Sequence, residues 1–157
     1  MRDVPPASAE EFSSAAAERE DEFASVRNMP FAKKVIYATR AGQTGRTVLL
    51  QQPTPMLMLY LCKNPLITLP EVIQIAKMPS IDALVAEHLA KLLKANPQWA
   101  LSEELKLAIV SNAKTPAGTA IAIMRQLSER GLSQLGKIPE LRSVLKQAAI
   151  RLLQDRR

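Results

Sequence analysis

Residues 64–80 read Asn-Pro-Leu-Ile-Thr-Leu-Pro-Glu-Val-Ile-Gln-Ile-Ala-Lys-Met-Pro-Ser, an apolar helical pattern that lies between two chain-breaking dipeptides. Similar breaks occur at Asn96-Pro97 and Asn112-Ala113, so the breaks fall near residues 64, 80, 96 and 112, in steps of 16. Two such steps, about 32 residues, match one helix-turn-helix unit of an α-solenoid, whose stacked repeats share one continuous core. The spacing predicts an all-α fold, a short α-solenoid of stacked helical hairpins.

The composition fits a helical chain with an aliphatic core. Apolar residues make up 47% of the 157 residues but aromatic residues only 4%, so Leu, Ile, Val, Ala and Met must fill the core. The chain has 5 glycines, and most of its 11 prolines lie between apolar blocks, which is typical of helices joined by short turns. We expect one domain with a sizeable core at this length.

Cysteine content and apolar runs indicate the compartment. The single Cys62 excludes an internal disulfide and a thiolate metal cluster. The N-terminus lacks a basic start followed by an apolar run, so no signal peptide is recognised. The longest dense apolar run, residues 56–62, is far shorter than the roughly 20 residues that span a bilayer. We therefore expect a cytoplasmic protein without a membrane span.

Charge divides the chain into two parts. Residues 1–29 carry seven acidic and three basic residues, a net charge of −4, whereas residues 30–157 carry 18 basic and eight acidic residues, a net charge of +10. We predict an acidic N-terminal arm, residues 1–29, in which Ser8 caps a mobile or loosely docked helix. A solvated tail is the alternative for this arm. Residues 30–157 form the helical-repeat body, whose charge favours an anionic partner.

Caps and apolar stripes predict where the helices of the body lie. The segment 56–62 is apolar on all sides, which predicts a central helix. Thr68 and Glu71 have the spacing of a capping box, and Ser102 is the expected cap of a later helix. Ser80 is the expected cap of the clearest amphipathic helix, whose apolar stripe consists of Ile81, Leu84, Val85, His88, Leu89 and Leu92.

Two glycines are expected to interrupt helices, because glycine is a poor helix former. Gly45 breaks the chain after a short helix that ends near Arg40, which leaves residues 47–50 as a short apolar piece. Gly131 is expected to end a helix that starts after Thr115-Pro116. The last helix is then expected to begin near Pro139.

An internal similarity supports the stacking of helices. Two stretches align without gaps at a spacing of 48, and the aligned pairs are Leu59 with Leu107, Asn64 with Asn112, Pro70 with Gly118 and Val72 with Ala120. One helix with its turn takes 16 residues, half of a hairpin unit, so 48 residues are three half-units. The alignment therefore matches one helix of a hairpin with the other helix of a later hairpin.

The blocks 64–76 and 112–122 resemble HEAT-like and leucine-rich-repeat-variant helical repeats of bacterial proteins. The resemblance covers roughly residues 48–154 and rests on patterning. It implies an α-α superhelix and a role in binding protein or nucleic acid. It brings no catalytic residues with it.

Each candidate reactive group has a plainer structural explanation. His88 has no acidic or nucleophilic partner within helical reach, and Cys62 is expected to be a small buried hydrophobe. The adjacent Glu103 and Glu104 diverge on a helix and stabilise its first turn. Residues 42–47 resemble part of a phosphate-binding loop but lack its Gly-Lys-Ser/Thr ending. We expect no catalytic residue, no metal, no cofactor and no enzymatic activity.

Partner binding has four candidate residues. Lys63, Lys94 and Lys114 lie at or beside helix junctions, and equivalent junctions of a solenoid line up along one edge. Trp99 follows another junction and could anchor a partner, because tryptophan is enriched at binding hot spots. Helix-dipole complementation by the lysines and a space-filling role for Trp99 are the alternatives.

These observations predict a non-enzymatic scaffold or adaptor that binds another protein, expected to present an acidic surface. The alternative is a protein that binds the backbone of RNA or DNA through its basic body. A scarcity of aromatic residues among the basic ones counts against that alternative, since bases stack on aromatic side chains.

Overall fold

The computed structural model describes residues 9–157, and every regular element in that range is helical. Ser8, the predicted cap, lies outside the described residues. A single-turn 3₁₀ helix covers Trp99–Leu101. The α-helices are α1 Ala9–Arg27, α2 Phe31–Ala38, α3 Gln43–Leu50, α4 Pro55–Cys62, α5 Leu69–Ala76, α6 Ala83–Ala95, α7 Glu103–Ser111, α8 Ala117–Met124, α9 Glu129–Gly136 and α10 Ser143–Asp155.

The helices pack in two rows. In the even row, α2, α4, α6, α8 and α10 each contact the next member. In the odd row, α1 contacts α3, α5 contacts α7 and α7 contacts α9, while an ion pair joins α3 to α5. Successive helices alternate between the rows, so the chain is a stack of helical hairpins. The predicted all-α helical-repeat fold is confirmed.

The core between the rows is aliphatic, as the composition predicts. The central helix α4 buries Leu57, Met58, Leu61 and Cys62. Leu89 of α6 is fully buried, but Leu84, which the sequence assigns to the same stripe, is 63% exposed. The apolar stripe of α6 is therefore narrower than predicted.

Two asparagines tie neighbouring helices of the same row together. The Asn64 amide, just after α4, donates to Ala38 O and Ala41 O at the end of α2, each at 2.9 Å. The Asn112 amide, just after α7, donates to Ala76 O at 2.8 Å and Met78 O at 2.9 Å, at the end of α5. Each side chain thus bonds to one carbonyl at the end of the preceding helix of its row and to one in the turn that follows that helix.

The same asparagines also shape their own turns. Asn64 Oδ1 accepts from the backbone amide two residues on, and so does Asn112 Oδ1, each at 2.9 Å. The two sites are therefore equivalent, one in each row, as the 48-residue alignment predicts. We call this arrangement the asparagine clamp. Arg156 plays a similar part after α10, because its guanidinium donates to Leu127 O at 2.7 Å and Arg125 O at 2.9 Å.

Both glycine predictions are wrong. Gly45 lies inside α3 and Gly131 lies inside α9, a helix that the sequence pattern does not predict. Each glycine is a point of close approach, because a Cβ atom at Gly45 would collide with the Tyr37 ring and one at Gly131 with the Glu103 carboxylate. The helix α8 ends at Met124, so Gly131 is not its end.

Helix starts are predicted with mixed success. Ser102 caps α7 by accepting from Leu105 N at 3.2 Å, and Thr68 N donates to Glu71 at 2.8 Å at the start of α5. Ser80 does not cap α6, however, because that helix starts later and Asp82 accepts from Val85 N at 3.0 Å. The last helix, α10, likewise starts at Ser143 and not near Pro139.

The end of the acidic arm belongs to the stack. The helix α1 packs on α3, and its Val26 is 2% exposed and Phe23 is half-buried against the core. The first half of the same helix is mainly exposed, including Phe12 at 67%. Only the last turns of α1 therefore contribute to the core.

The clamp predicts a specific loss of stability. Asn64→Ala should lower the free energy of unfolding by about 2–4 kcal/mol, because it leaves the buried Ala38 carbonyl unpaired and removes the bond from Leu66 N, while Ala41 O keeps its bond from Arg46. Asn96→Ala is the matched control, since the Asn96 side chain bonds only to Leu92 O of the adjoining α6, and it should cost about 1 kcal/mol or less. Urea denaturation of both variants measures the difference, and equal losses would contradict the clamp.

Truncation tests how far the stack extends into the arm. A variant without residues 1–18 should melt within about 2 °C of the intact chain, because the removed part of α1 buries little. Val26→Asp should cost about 3 kcal/mol, since it places an unpaired charge in the core. Thermal melts followed by circular dichroism compare the two. A large loss on truncation would show that the whole arm stabilises the body.

Candidate binding groove

A groove of about 650 Å³ runs along α7 in the odd row. The end of α5 forms one wall and the start of α9 forms the other. We call it the α7 groove. Its lining is Ala76, Lys77, Glu103, Glu104, Leu107, Ala108, Ser111, Asn112, Ser128, Arg130, Gly131 and Gln134.

Small residues keep the floor of the groove open. Ala76, Ala108 and Gly131 lie on three successive helices of the row, and Leu107 adds apolar surface between them. Hydroxyl and amide side chains, those of Ser111, Ser128, Asn112 and Gln134, contribute polar groups to the lining. An apolar floor with a few polar groups is the usual form of a binding site.

Glu103 fixes one wall of the groove. Its carboxylate accepts from Ser128 N and Ser128 Oγ, each at 3.1 Å, and so joins α7 to the cap of α9. Lys106 Nζ lies 3.5 Å from the same carboxylate and donates to Gln126 O at 3.1 Å. Burial opposes ionisation of Glu103, but the bonds from Ser128 and the charge of Lys106 outweigh it and lower the pKa of this carboxyl.

Cations remain accessible at the rim. Lys77 Nζ pairs with Glu104 Oε1 at 2.9 Å, but both side chains are more than half exposed, so solvent screens this pair. Arg130 is exposed, and no carboxylate lies within 4.0 Å of it in residues 9–157. Since Glu103 is already engaged, the groove offers Lys77 and Arg130 to an anionic group.

The lining of the α7 groove has the mixed apolar and polar character of a binding surface. Within the part of the chain that the structure describes, no three His, Cys, Asp or Glu side chains are grouped so that they could hold a metal ion. None of the helices in that part has the length and apolar character needed to cross a bilayer. The α7 groove combines apolar surface, hydrogen-bonding groups and accessible charge, which together can hold a segment of polypeptide.

The four predicted binding residues do not converge. Lys63 and Trp99 line a separate cavity of about 410 Å³, and Lys94 lines another of about 240 Å³ between α6 and α8. Helix direction alternates along the chain, so Lys63 and Lys94 lie at the end of the even-row helices while Lys114 lies at the opposite edge, after α7. The structure therefore divides the expected basic edge between two edges.

The cavity beside Trp99 is built from structural groups. Trp99 is partly buried against the core, and Lys63 Nζ lies 4.8 Å from the centre of the Tyr60 ring. Burial and the nearby charges of Lys63 and Lys91 lower the pKa of His88. Burial raises the pKa of the Cys62 thiol to about 12, so it is not a thiolate at neutral pH.

Residues 42–47 do not form a phosphate loop in the structure. They lie at the start of α3, where the Arg46 guanidinium is buried and pairs with Glu71 Oε1 at 3.0 Å. The same guanidinium donates to Ala41 O at 2.9 Å. Arg46 therefore supports the turn between α2 and α3.

The α7 groove is a site that the sequence does not predict. The sequence pattern explains Glu103 by its helix dipole, whereas its contact with Ser128 spans 25 residues, beyond any local pattern. Gly131 is the available signal, since a glycine within a helix indicates close approach of another group.

The lowered pKa of Glu103 gives a pH-dependent prediction. Its stabilising bonds should be complete above the ordinary value of 4.5 and should be lost as the pH falls through the lower pKa of the folded state. Glu103→Gln should therefore lose less stability than the wild type between about pH 5 and about pH 3. Glu104→Gln is the control and should follow the wild type. Denaturation midpoints measured at several pH values test this prediction. If the midpoint of Glu103→Gln falls as steeply with decreasing pH as that of the wild type, the lowered pKa of Glu103 is contradicted.

Comparison with protein-family models, with curated proteins and with solved structures returned no match for this chain. The resemblance of residues 48–154 to HEAT-like and leucine-rich-repeat-variant repeats therefore stays a prediction from the sequence. A functional proposal rests on the geometry of the α7 groove.

Proposed function

We propose that this protein is a non-enzymatic scaffold or adaptor that binds a segment of another protein in the α7 groove. The observation that carries the proposal is the groove itself, about 650 Å³ of open space with an apolar floor along three helices of one row. Helical-repeat proteins commonly bind their partners on such extended surfaces. We extend the proposal to a cytoplasmic location in a bacterial cell, which the single cysteine and the resemblance to bacterial repeats favour.

The partner segment carries an acidic side chain next to an apolar one. Leu107 and Ala108 provide apolar contact at the floor, and Arg130 provides an accessible cation at the wall. Lys77 adds a second cation once its exposed pair with Glu104 is exchanged for the partner's carboxylate. The net charge of +10 on residues 30–157 steers such a segment toward the body.

A protein segment fits better than a nucleic acid for two reasons. Aromatic side chains on which bases could stack do not line the groove. Part of the positive charge is also committed to the fold, because Arg46, Lys106, Arg142 and Arg156 all donate to backbone carbonyls. Lys63 and Lys94 lie at one edge of the stack and Lys114 at the other.

A peptide selection tests the proposal. The full chain is immobilised and a random peptide library displayed on phage is selected on it at physiological salt. We expect enriched peptides with an acidic residue next to an apolar one. A fluorescent copy of the most enriched peptide then serves as the probe in anisotropy titrations.

Two matched serine variants locate the peptide. Ser111→Arg places a long side chain in the groove and should weaken binding by about tenfold or more, equal to ~1.4 kcal/mol. Ser133→Arg adds the same side chain to an exposed position of α9 outside the groove and should bind as the wild type does. Arg130→Glu should select peptides that carry a basic residue where those selected by the wild type carry an acidic one.

The same titrations distinguish the alternative function. Single-stranded polyuridylate, added as a competitor, should not displace the peptide at physiological salt. If no peptide is enriched and polyuridylate binds with a steep salt dependence that Ser111→Arg leaves unchanged, the groove proposal is overturned in favour of backbone binding.

A further inference from the structure

A second groove lies in the odd row, beside the α7 groove. It has a volume of about 410 Å³ and lies between α3 and the start of α5. The ion pair between Arg46 and Glu71, at 3.0 Å, contributes to its lining. We call it the α3–α5 groove. Its exposed lining includes Gln43, Thr47, Gln51 and Gln74.

The α3–α5 groove offers hydrogen bonds but little accessible charge. Arg46 and Glu71, the charged residues of its lining, pair with each other, and their side chains are only 6% and 14% exposed. The residues Gln43, Gln51 and Gln74 are exposed instead. A glutamine amide both donates and accepts hydrogen bonds, so it matches the N–H and C=O groups of a peptide backbone whatever the side chains are. The groove is therefore suited to an uncharged stretch of polypeptide.

The two grooves meet on α5. Gln74 lines the α3–α5 groove, and Lys77, directly after the last residue of α5, lines the α7 groove. Both residues are exposed, and residues three apart along a helix are neighbours on its surface. The grooves therefore form one surface along the odd row, from α3 across α5 and α7 to α9.

From this geometry we infer that the partner segment is an extended chain that crosses the odd row from α9 to α3. The inference rests on the proposed function and specifies the form of its partner. The acidic and apolar residues of the segment occupy the α7 groove. An uncharged continuation of the same segment lies in the α3–α5 groove, where Gln43 and Gln74 bond to its backbone.

The exposed glutamines favour an extended chain over a helix. A helix uses its backbone N–H and C=O groups in its own hydrogen bonds, whereas an extended chain presents them to the protein. Packed helices lie about 8–10 Å apart, so the three steps from α9 to α3 cover about 24–30 Å. An extended chain covers this distance with about seven to nine residues, whereas a helix needs about 16 to 20.

Shortening a bound peptide measures the length of the site. Random peptides of about 20 residues, long enough to cross the row even as a helix, are selected on the full chain. The most enriched peptide is labelled, shortened from each end and titrated by fluorescence anisotropy. The dissociation constant should stay constant down to about seven to nine residues and rise on further shortening. A minimal peptide shorter than about seven residues or longer than about 12 would overturn the extended crossing.

Matched glutamine variants locate the continuation of the segment. Gln74→Ala removes a hydrogen-bonding group from the α3–α5 groove and should raise the dissociation constant of the minimal peptide about threefold to tenfold. Gln43→Ala should act in the same direction. Gln147→Ala is the control, since Gln147 is exposed on α10 in the other row, and it should bind as the wild type does. Circular dichroism melts confirm that the variants are folded, as expected for exposed positions.

The variants separate failure of this inference from failure of the proposed function. If Ser111→Arg weakens binding while Gln43→Ala and Gln74→Ala do not, the α7 groove binds alone and the extended crossing is overturned. If Gln147→Ala weakens binding as much as Gln74→Ala, the effect is not local to the groove and the inference also fails. If no peptide is enriched, or Ser111→Arg has no effect, the proposed function fails and this inference fails with it.

Discussion

The fold depends on satisfying the carbonyl groups that short helices leave open. Six of the ten helices in residues 9–157 are only eight residues long, so about half of the carbonyls in each lie beyond the reach of its own hydrogen bonds. The asparagine clamps at Asn64 and Asn112 meet this need and fix the spacing of adjacent helices in the same step. Short helices and a regular stack are therefore compatible because a side-chain amide links one repeat to the next.

Buried cations extend the same principle to the ends of the odd-row helices. Arg46 is 5% exposed and joins Ala41 O at the turn before α3 to Glu71 at the start of α5. Lys106, also 5% exposed, joins Gln126 O to Glu103, which in turn holds Ser128. A formal charge of +6 therefore overstates what a partner can reach, because part of it stabilises turns.

The sequence predicts the repeat but not its close contacts. Breaks at intervals of 16 fall in the connections between helices, and the spacing of 48 aligns two clamps with the same hydrogen bonds. Gly45 and Gly131 mislead because a lone glycine indicates a break when only local propensity is considered. Their reason lies in Tyr37 and in Glu103, side chains from other helices, and no local pattern contains that information. The α7 groove depends on the contact between Glu103 and Ser128, which spans 25 residues, so no local pattern predicts the groove either.

The α7 groove depends on the same contacts that hold the odd row together. Its lining comes from α5, α7 and α9 and from the turns beside them. Because Ser128 and Lys106 engage the Glu103 carboxylate, that carboxylate fixes the wall and does not compete with an anionic ligand for Arg130. The hydrogen bonds that stabilise the stack therefore also decide which charges the groove presents.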